Sequence, residues 1–231
     1  MGQGFASIPL GPDIVTALQR GLPHFKSAEG LEQVLLDAAK LEGNSWQVFT
    51  LTLPDVLERG FRAITVSAGW RIAARSGNQV IAADIYTGDT LQRVHPFPLE
   101  AGAPRLACIR RNEEISKMLD TIQQLSNPPA PSYIHILLLP GLVTDALWIK
   151  PQDPSAGEGT VVPFNTMVEG LRERNYYDQT SFLQRVQPLA RKFERFRREP
   201  LSIEEQFAEL GIKQKDRLSV RRAQGKQDPN K

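Results

Sequence analysis

The run YIHILLLPGLVTDALWIKP, Tyr133 to Pro151, is the most apolar part of the chain and decides where the middle of the fold must lie. It is about as long as a short membrane span, but His135, the Pro140-Gly141 pair and Asp145 interrupt it. No membrane span is expected. An apolar run broken by Pro-Gly reads as two buried strands, Tyr133 to Leu139 and Leu142 to Ile149, with a turn between them. Alternation in the second groups Val143, Asp145, Leu147 and Ile149 on one face, and Leu142, Thr144, Ala146, Trp148 and Lys150 on the other. Neither face is purely polar, which fits a central strand covered on both sides. With the turn centred on Pro140-Gly141, Asp145 is expected opposite residue 136, which leaves His135 on the other face and argues against an Asp–His dyad.

A second strong constraint is GWRIAARSGNQVIAADIYTGD, Gly69 to Asp89, two apolar-rich runs separated by turn residues. A two-residue loop at Gly77-Asn78 sets Arg75 opposite Val80, Ala73 opposite Ala82, and Arg71 opposite Asp84. Trp70, Ile72, Ala74, Ile81, Ala83 and Ile85 then form the core face, and Asp84 is explained as a cross-strand partner of Arg71.

Around these strands the pattern is mixed. Helices are expected over Pro12 to Arg20, from a Ser27 cap to Leu41, over Pro54 to Arg59, and after an Asn112 cap, where Ile115, Met118, Leu119, Ile122 and Leu125 form a stripe. Trp46 to Leu53, Phe61 to Ser67 and Arg105 to Arg110 read as further strands, and the Pro-rich segment from Arg93 to Pro104 reads as a surface connection. From Asn165 onward the pattern is helical. Phe182, Val186, Leu189, Phe193 and Phe196 fall on one face of a helix from Thr180 to Arg197, and Ser202 with Glu205 marks a last helix ending at Gly211. The expected class is α+β: a mixed, mainly antiparallel sheet with β-hairpins, packed against amphipathic helices, with a helical C-terminal region. The expected organisation is an α+β core over 1–151, a helical C-terminal region packed on it over 152–211, and a basic disordered tail over 212–231.

Charge is uneven. From Arg185 to Lys231, 13 Lys and Arg stand against 7 Asp and Glu, whereas the whole chain carries a net charge of only +2. Arg191, Lys192, Arg195, Arg197 and Arg198, interleaved with Phe193 and Phe196, are the candidate binding residues, suited to an acidic partner. The two Phe are expected on the core face, with the cations as the solvated side of the same helix.

Catalytic patterns are sparse. His24, His95 and His135 are scattered, and the single cysteine, Cys108, leaves no thiol cluster for a metal. No phosphate-binding loop or G-x-S-x-G elbow occurs, so no cofactor, metal site or catalytic residue is expected, and Cys108 reads as a buried small hydrophobe. A single cysteine and an N-terminus without the charged and apolar regions of a secretory leader point to the cytoplasm. Asp145 reads as a structural acid bonded to backbone amides or to an Arg from a covering helix. The favoured function is a non-catalytic protein-binding accessory or adaptor module. The alternatives are a nucleic-acid-associated protein using the basic C-terminal region, and an enzyme with a carboxylate site near Asp145, which would require a concave pocket and a shifted pKa there.

Overall fold

A computed structural model of the chain describes residues 4–64, 67–87, 103–111 and 113–198. In it the apolar run occupies the middle of a nine-stranded mixed sheet, and the fold is α+β. The strands are β1 (Phe5–Ala6), β2 (Ser45–Thr50), β3 (Gly69–Ser76), β4 (Gln79–Tyr86), β5 (Arg105–Arg110), β6 (Ser132–Leu139), β7 (Thr144–Pro151), β8 (Thr160–Thr166) and β9 (Tyr177–Asp178). Their order is β5-β4-β3-β2-β6-β7-β8-β9. Pairing is antiparallel except along β6, where β1 adds in parallel at Ser132 and Tyr133, and β2 at Ile136 to Leu138. Five helices are described: α1 (Pro12–Gly21), α2 (Glu32–Lys40), α3 (Leu53–Glu58), α4 (Glu113–Gln124) and α5 (Gln179–Arg198).

Register shows which helices share a face. Gln47 is paired with Trp70, so Phe49, two residues further along β2, lies on the Trp70 side. On that side α1 and α2 pack Leu18 and Leu35 against Trp70, Ile72, Ile81 and Ile85. Farther along the same face, α3 and α5 pack Val56, Phe182 and Val186 against Leu137, Leu139 and Trp148. The opposite face is covered by α4, whose Ile115 and Met118 meet Trp46, Val48, Ile136, Leu147 and Phe164. A central strand covered on both sides has few positions where a polar residue can point, which explains why β6 is apolar nearly throughout.

The hairpin register is as expected, with Arg71 opposite Asp84 and Ala73 opposite Ala82. Burial differs: both faces of the hairpin are covered, and Ala73, Ala82 and Asp84 are as enclosed as Ile72 and Ile81. Several boundaries also move. Helix α2 starts at Glu32, because Gly30 at φ 75° separates it from a short 3-10 turn over Lys26–Ala28. Strand β2 stops at Thr50, where Thr52 and Asp55 form a reciprocal capping box that starts α3. Gly60–Ala63 is a 3-10 turn in place of the start of a strand. Pro140–Leu142 is likewise a 3-10 turn, so β7 begins at Thr144 and Asp145 pairs with Leu138, two positions from the expected partner. The sheet continues past Asn165 to Thr166 and resumes at β9, in place of an all-helical pattern. Asn112, His95, the segment 88–102 and everything after Arg198 lie outside the described residues.

Helix α5 runs unbroken through Pro188. Phe182 and Val186 are fully buried beneath it, but Phe193 is only half-buried and stacks edge-on against Phe196 at 6.1 Å. The expected core position of Phe193 is therefore corrected to the margin of the core, because the helix extends beyond the apolar surface it packs against. Phe193→Ala should lower unfolding stability by about 1–2 kcal/mol, short of the value for a fully enclosed Phe. Urea titration at pH 7 checks this, and a loss above 3 kcal/mol would return Phe193 to the core.

Candidate functional site

Two rows of side chains on the α4 face carry the polar chemistry of the fold. The first crosses β2, β6, β7 and β8 as Thr50, Leu138, Asp145 and Asn165, each opposite the next in register. The second crosses β3, β4 and β5 as Arg71, Asp84 and Cys108. Both aspartates stand at register shifts, Asp84 next to one in β4–β5 and Asp145 next to one in β7–β8. The second shift falls where Pro163, lacking an N–H, meets Ala146. Such bulges re-aim the neighbouring side chains.

Asp84 is wholly buried and collects three donors. Arg71 donates from Nε to Oδ1 at 2.6 Å and from Nη2 to Oδ2 at 2.9 Å, while Arg110 donates from Nε to Oδ2 at 2.7 Å. The Cys108 thiol donates to Oδ2 at 3.4 Å. Burial alone would push the Asp84 carboxyl up, but the two guanidiniums overcome it and hold the group below the usual carboxylate range. Arg71, itself 2% exposed, is a cation tied in a forked pair inside the sheet. Burial and the Asp84 charge push the Cys108 thiol up to about 11 and the Tyr86 hydroxyl up to about 12.

Between the two rows, at the N-terminal end of α4, is a cavity of about 310 Å³. Its polar lining includes Arg71, Tyr86, Arg110, Glu114, Asp145 and Asn165, and Val143 and Pro140 contribute an apolar rim. Asp145 is half-buried, and burial followed by the charge of Glu114 pushes its carboxyl up, against the opposing influence of Arg71, Arg110 and a side-chain hydrogen bond from Asn165. Asn165 Nδ2 also approaches Glu114 Oε1 at 3.5 Å, joining the two acids. Two backbone features shape the cavity. Val143 holds the left-handed conformation, φ 46°, an uncommon state for a β-branched residue. Gly69 lets β3 pass so close to β4 that a Cβ there would meet Ile85 O at 2.1 Å, and this approach places Tyr86 beside the lining.

The structure thus brings Asp145 together with Arg71, Arg110 and Glu114. Its partners are the Asn165 amide and longer-range charge, in place of the backbone amides or covering-helix Arg expected for it. His135 lies on the opposite face, paired with Trp148. Of the candidate cations, Arg191, Lys192 and Arg195 are exposed along α5, with Arg195 over the Phe196 ring at 5.8 Å, and Arg197 and Arg198 end the helix. Arg191, Lys192 and Arg195 do not line the cavity. Among the described residues no group of three or more His, Cys, Asp or Glu is placed to hold a metal ion, and no helix is long and apolar enough to cross a membrane. The sequence signals for this site were the unexplained acid in an apolar strand and the proline inside TVVPFNT; Glu114 and Asn165 carried none. Compared with known proteins, the chain matches no family model, no curated protein and no solved structure.

Proposed function

We propose that the protein is a non-catalytic binding module whose recognition site is the cavity between Arg71 and Asp145. The observation carrying this reading is Asp145 itself: a carboxyl that burial and Glu114 disfavour as an anion, kept in the wall of a cavity of ligand size. The same two features are those required of a carboxylate enzyme. Binding is favoured over reaction because the nearest thiol is driven further into its protonated form and His135 points away into the other core.

An acid kept for a ligand should weaken the empty protein. Asp145→Asn, which preserves shape and can still pair with Asn165, should raise unfolding stability by about 0.5–2 kcal/mol near pH 7. The sign follows from the raised carboxyl: stability is fully present where Asp145 is protonated and is lost as pH rises through its folded pKa. The gain should therefore vanish in acid. The functional test is a thermal-shift titration with the small-molecule fraction of a cell extract. Stabilisation of wild type but not of Asp145→Asn supports the reading, and equal response of both sinks it.

A second reading is contact with an acidic protein surface through α5, favoured by the exposure of Arg191, Lys192 and Arg195 on the side turned from the core. Affinity capture at two salt concentrations, wild type beside a variant with those three residues changed to Gln, tests it. Capture of an acidic protein that is lost in the variant supports this reading, and capture of nucleic acid would replace the partner class.

A further inference from the structure

The charges around the cavity are separated rather than mixed. On the β3–β5 side, Arg71 and Arg110 share one carboxylate, Asp84, so this wall retains net positive charge. On the β7 and α4 side, Asp145 and Glu114 supply negative charge, joined through Asn165. Arg71, Arg110, Asp145 and Glu114 all line the one cavity of about 310 Å³, which puts the two walls within the span of one small molecule. Tyr86, a neutral hydroxyl, offers a hydrogen bond at the same cavity.

From this arrangement we infer that the ligand is a small zwitterion carrying an ammonium and a carboxylate on one carbon, a free α-amino acid. Its carboxylate meets Arg71 and Arg110, and its ammonium meets Asp145 and Glu114. A simple amine would face repulsion from the two guanidiniums, and a simple carboxylic acid would face repulsion from the two acids. A molecule with both charges satisfies each wall, and about 310 Å³ holds one with a modest side chain packed against Val143 and Pro140. The ammonium would also supply the nearby cation that keeps Asp145 ionised.

The inference rests on the cavity being a binding site, and the test separates the two. Full-length protein is titrated calorimetrically at low salt with alanine, serine, glutamine and leucine, and with the amine and the carboxylic acid corresponding to each. At least one amino acid should bind, its amine and its acid should each bind about tenfold more weakly or not at all, and Asp145→Asn should lower the amino-acid affinity by a similar factor. Arg110→Gln, at a half-exposed residue, should do the same from the other wall. Matching circular dichroism spectra establish that the variants are folded. Binding of an amine or acid as tight as its parent overturns the zwitterion assignment, as does failure of all four amino acids. If a cell extract nevertheless stabilises wild type but not Asp145→Asn, the site stands and only the ligand class is wrong; if extract and amino acids both leave wild type unchanged, both fall.

Discussion

Asp84→Asn should lower unfolding stability by about 3–5 kcal/mol at pH 7, the range for removing one partner of a buried ion pair. The substitution leaves Arg71, 2% exposed, without its directly bonded counter-charge, and an amide can accept from only one side of the guanidinium fork. Arg71 cannot escape by losing its proton, since a guanidinium keeps its charge in a protein interior even when its partner is gone. Arg110 can turn toward water, so the loss should come mainly from Arg71. Urea denaturation followed by tryptophan fluorescence gives the number. A variant within 1 kcal/mol of wild type would show that the sheet does not depend on the Arg71–Asp84 pair, and with it the proposed positive wall would lose its anchor.

Asp84 and Asp145 lie on the same face of one sheet, yet their expected substitutions have opposite signs. Asp84 is surrounded by donors and holds two cations in place; Asp145 is half-buried, hydrogen-bonded by one amide, and its burial and the Glu114 charge outweigh the longer-range pull of Arg71 and Arg110. Buried charges that are fully paired belong to the scaffold, whereas one whose environment disfavours it is more useful to a ligand than to the fold.

The Arg71–Asp84 pair was legible in the sequence because a two-residue loop at Gly77-Asn78 fixes every pairing in the hairpin. Its burial was not, since that depends on β5 arriving with Arg110 on one side and on α4 covering the face. The two strands of the apolar run were legible from composition, but their register was displaced by the 3-10 turn Pro140–Leu142, which a Pro-Gly pair alone does not specify. The Thr50–Leu138–Asp145–Asn165 row could not be read at all. It requires a parallel pairing between β2 and β6, segments far apart in sequence, and a bulge in β8 that turns Asn165 toward Asp145. Local pattern reports which residues want burial, but long-range pairing decides which polar residues meet.

His135 predicts a distinct acid response. Its ring is buried among Phe49, at 4.9 Å between centroids, Trp148 at 5.7 Å and Tyr133 at 6.2 Å, and Nδ1 has no hydrogen-bond partner among the described residues. Burial, reinforced by the Lys150 charge, lowers its pKa from 6.5 to about 4. The unfolded chain therefore takes up this proton near pH 6.5 while the folded protein refuses it until about 4, so stability is complete above 6.5 and falls as pH drops toward 4. At about 1.4 kcal/mol per unit the loss across this window is roughly 3 kcal/mol. Asp145 contributes the opposite slope on its way to protonation, so wild type alone would show a blunted fall. The difference between wild type and His135→Phe removes that contribution. Phe suits a pocket already lined by aromatic rings and should stay within about 1.5 kcal/mol of wild type at pH 7.5. Urea unfolding at half-unit steps from pH 7.5 to 4 should show the variant gaining on wild type only below 6.5. Parallel curves through that range would mean that His135 takes up its proton in the fold as readily as in the unfolded chain, and that the interior around Trp148 is open to water.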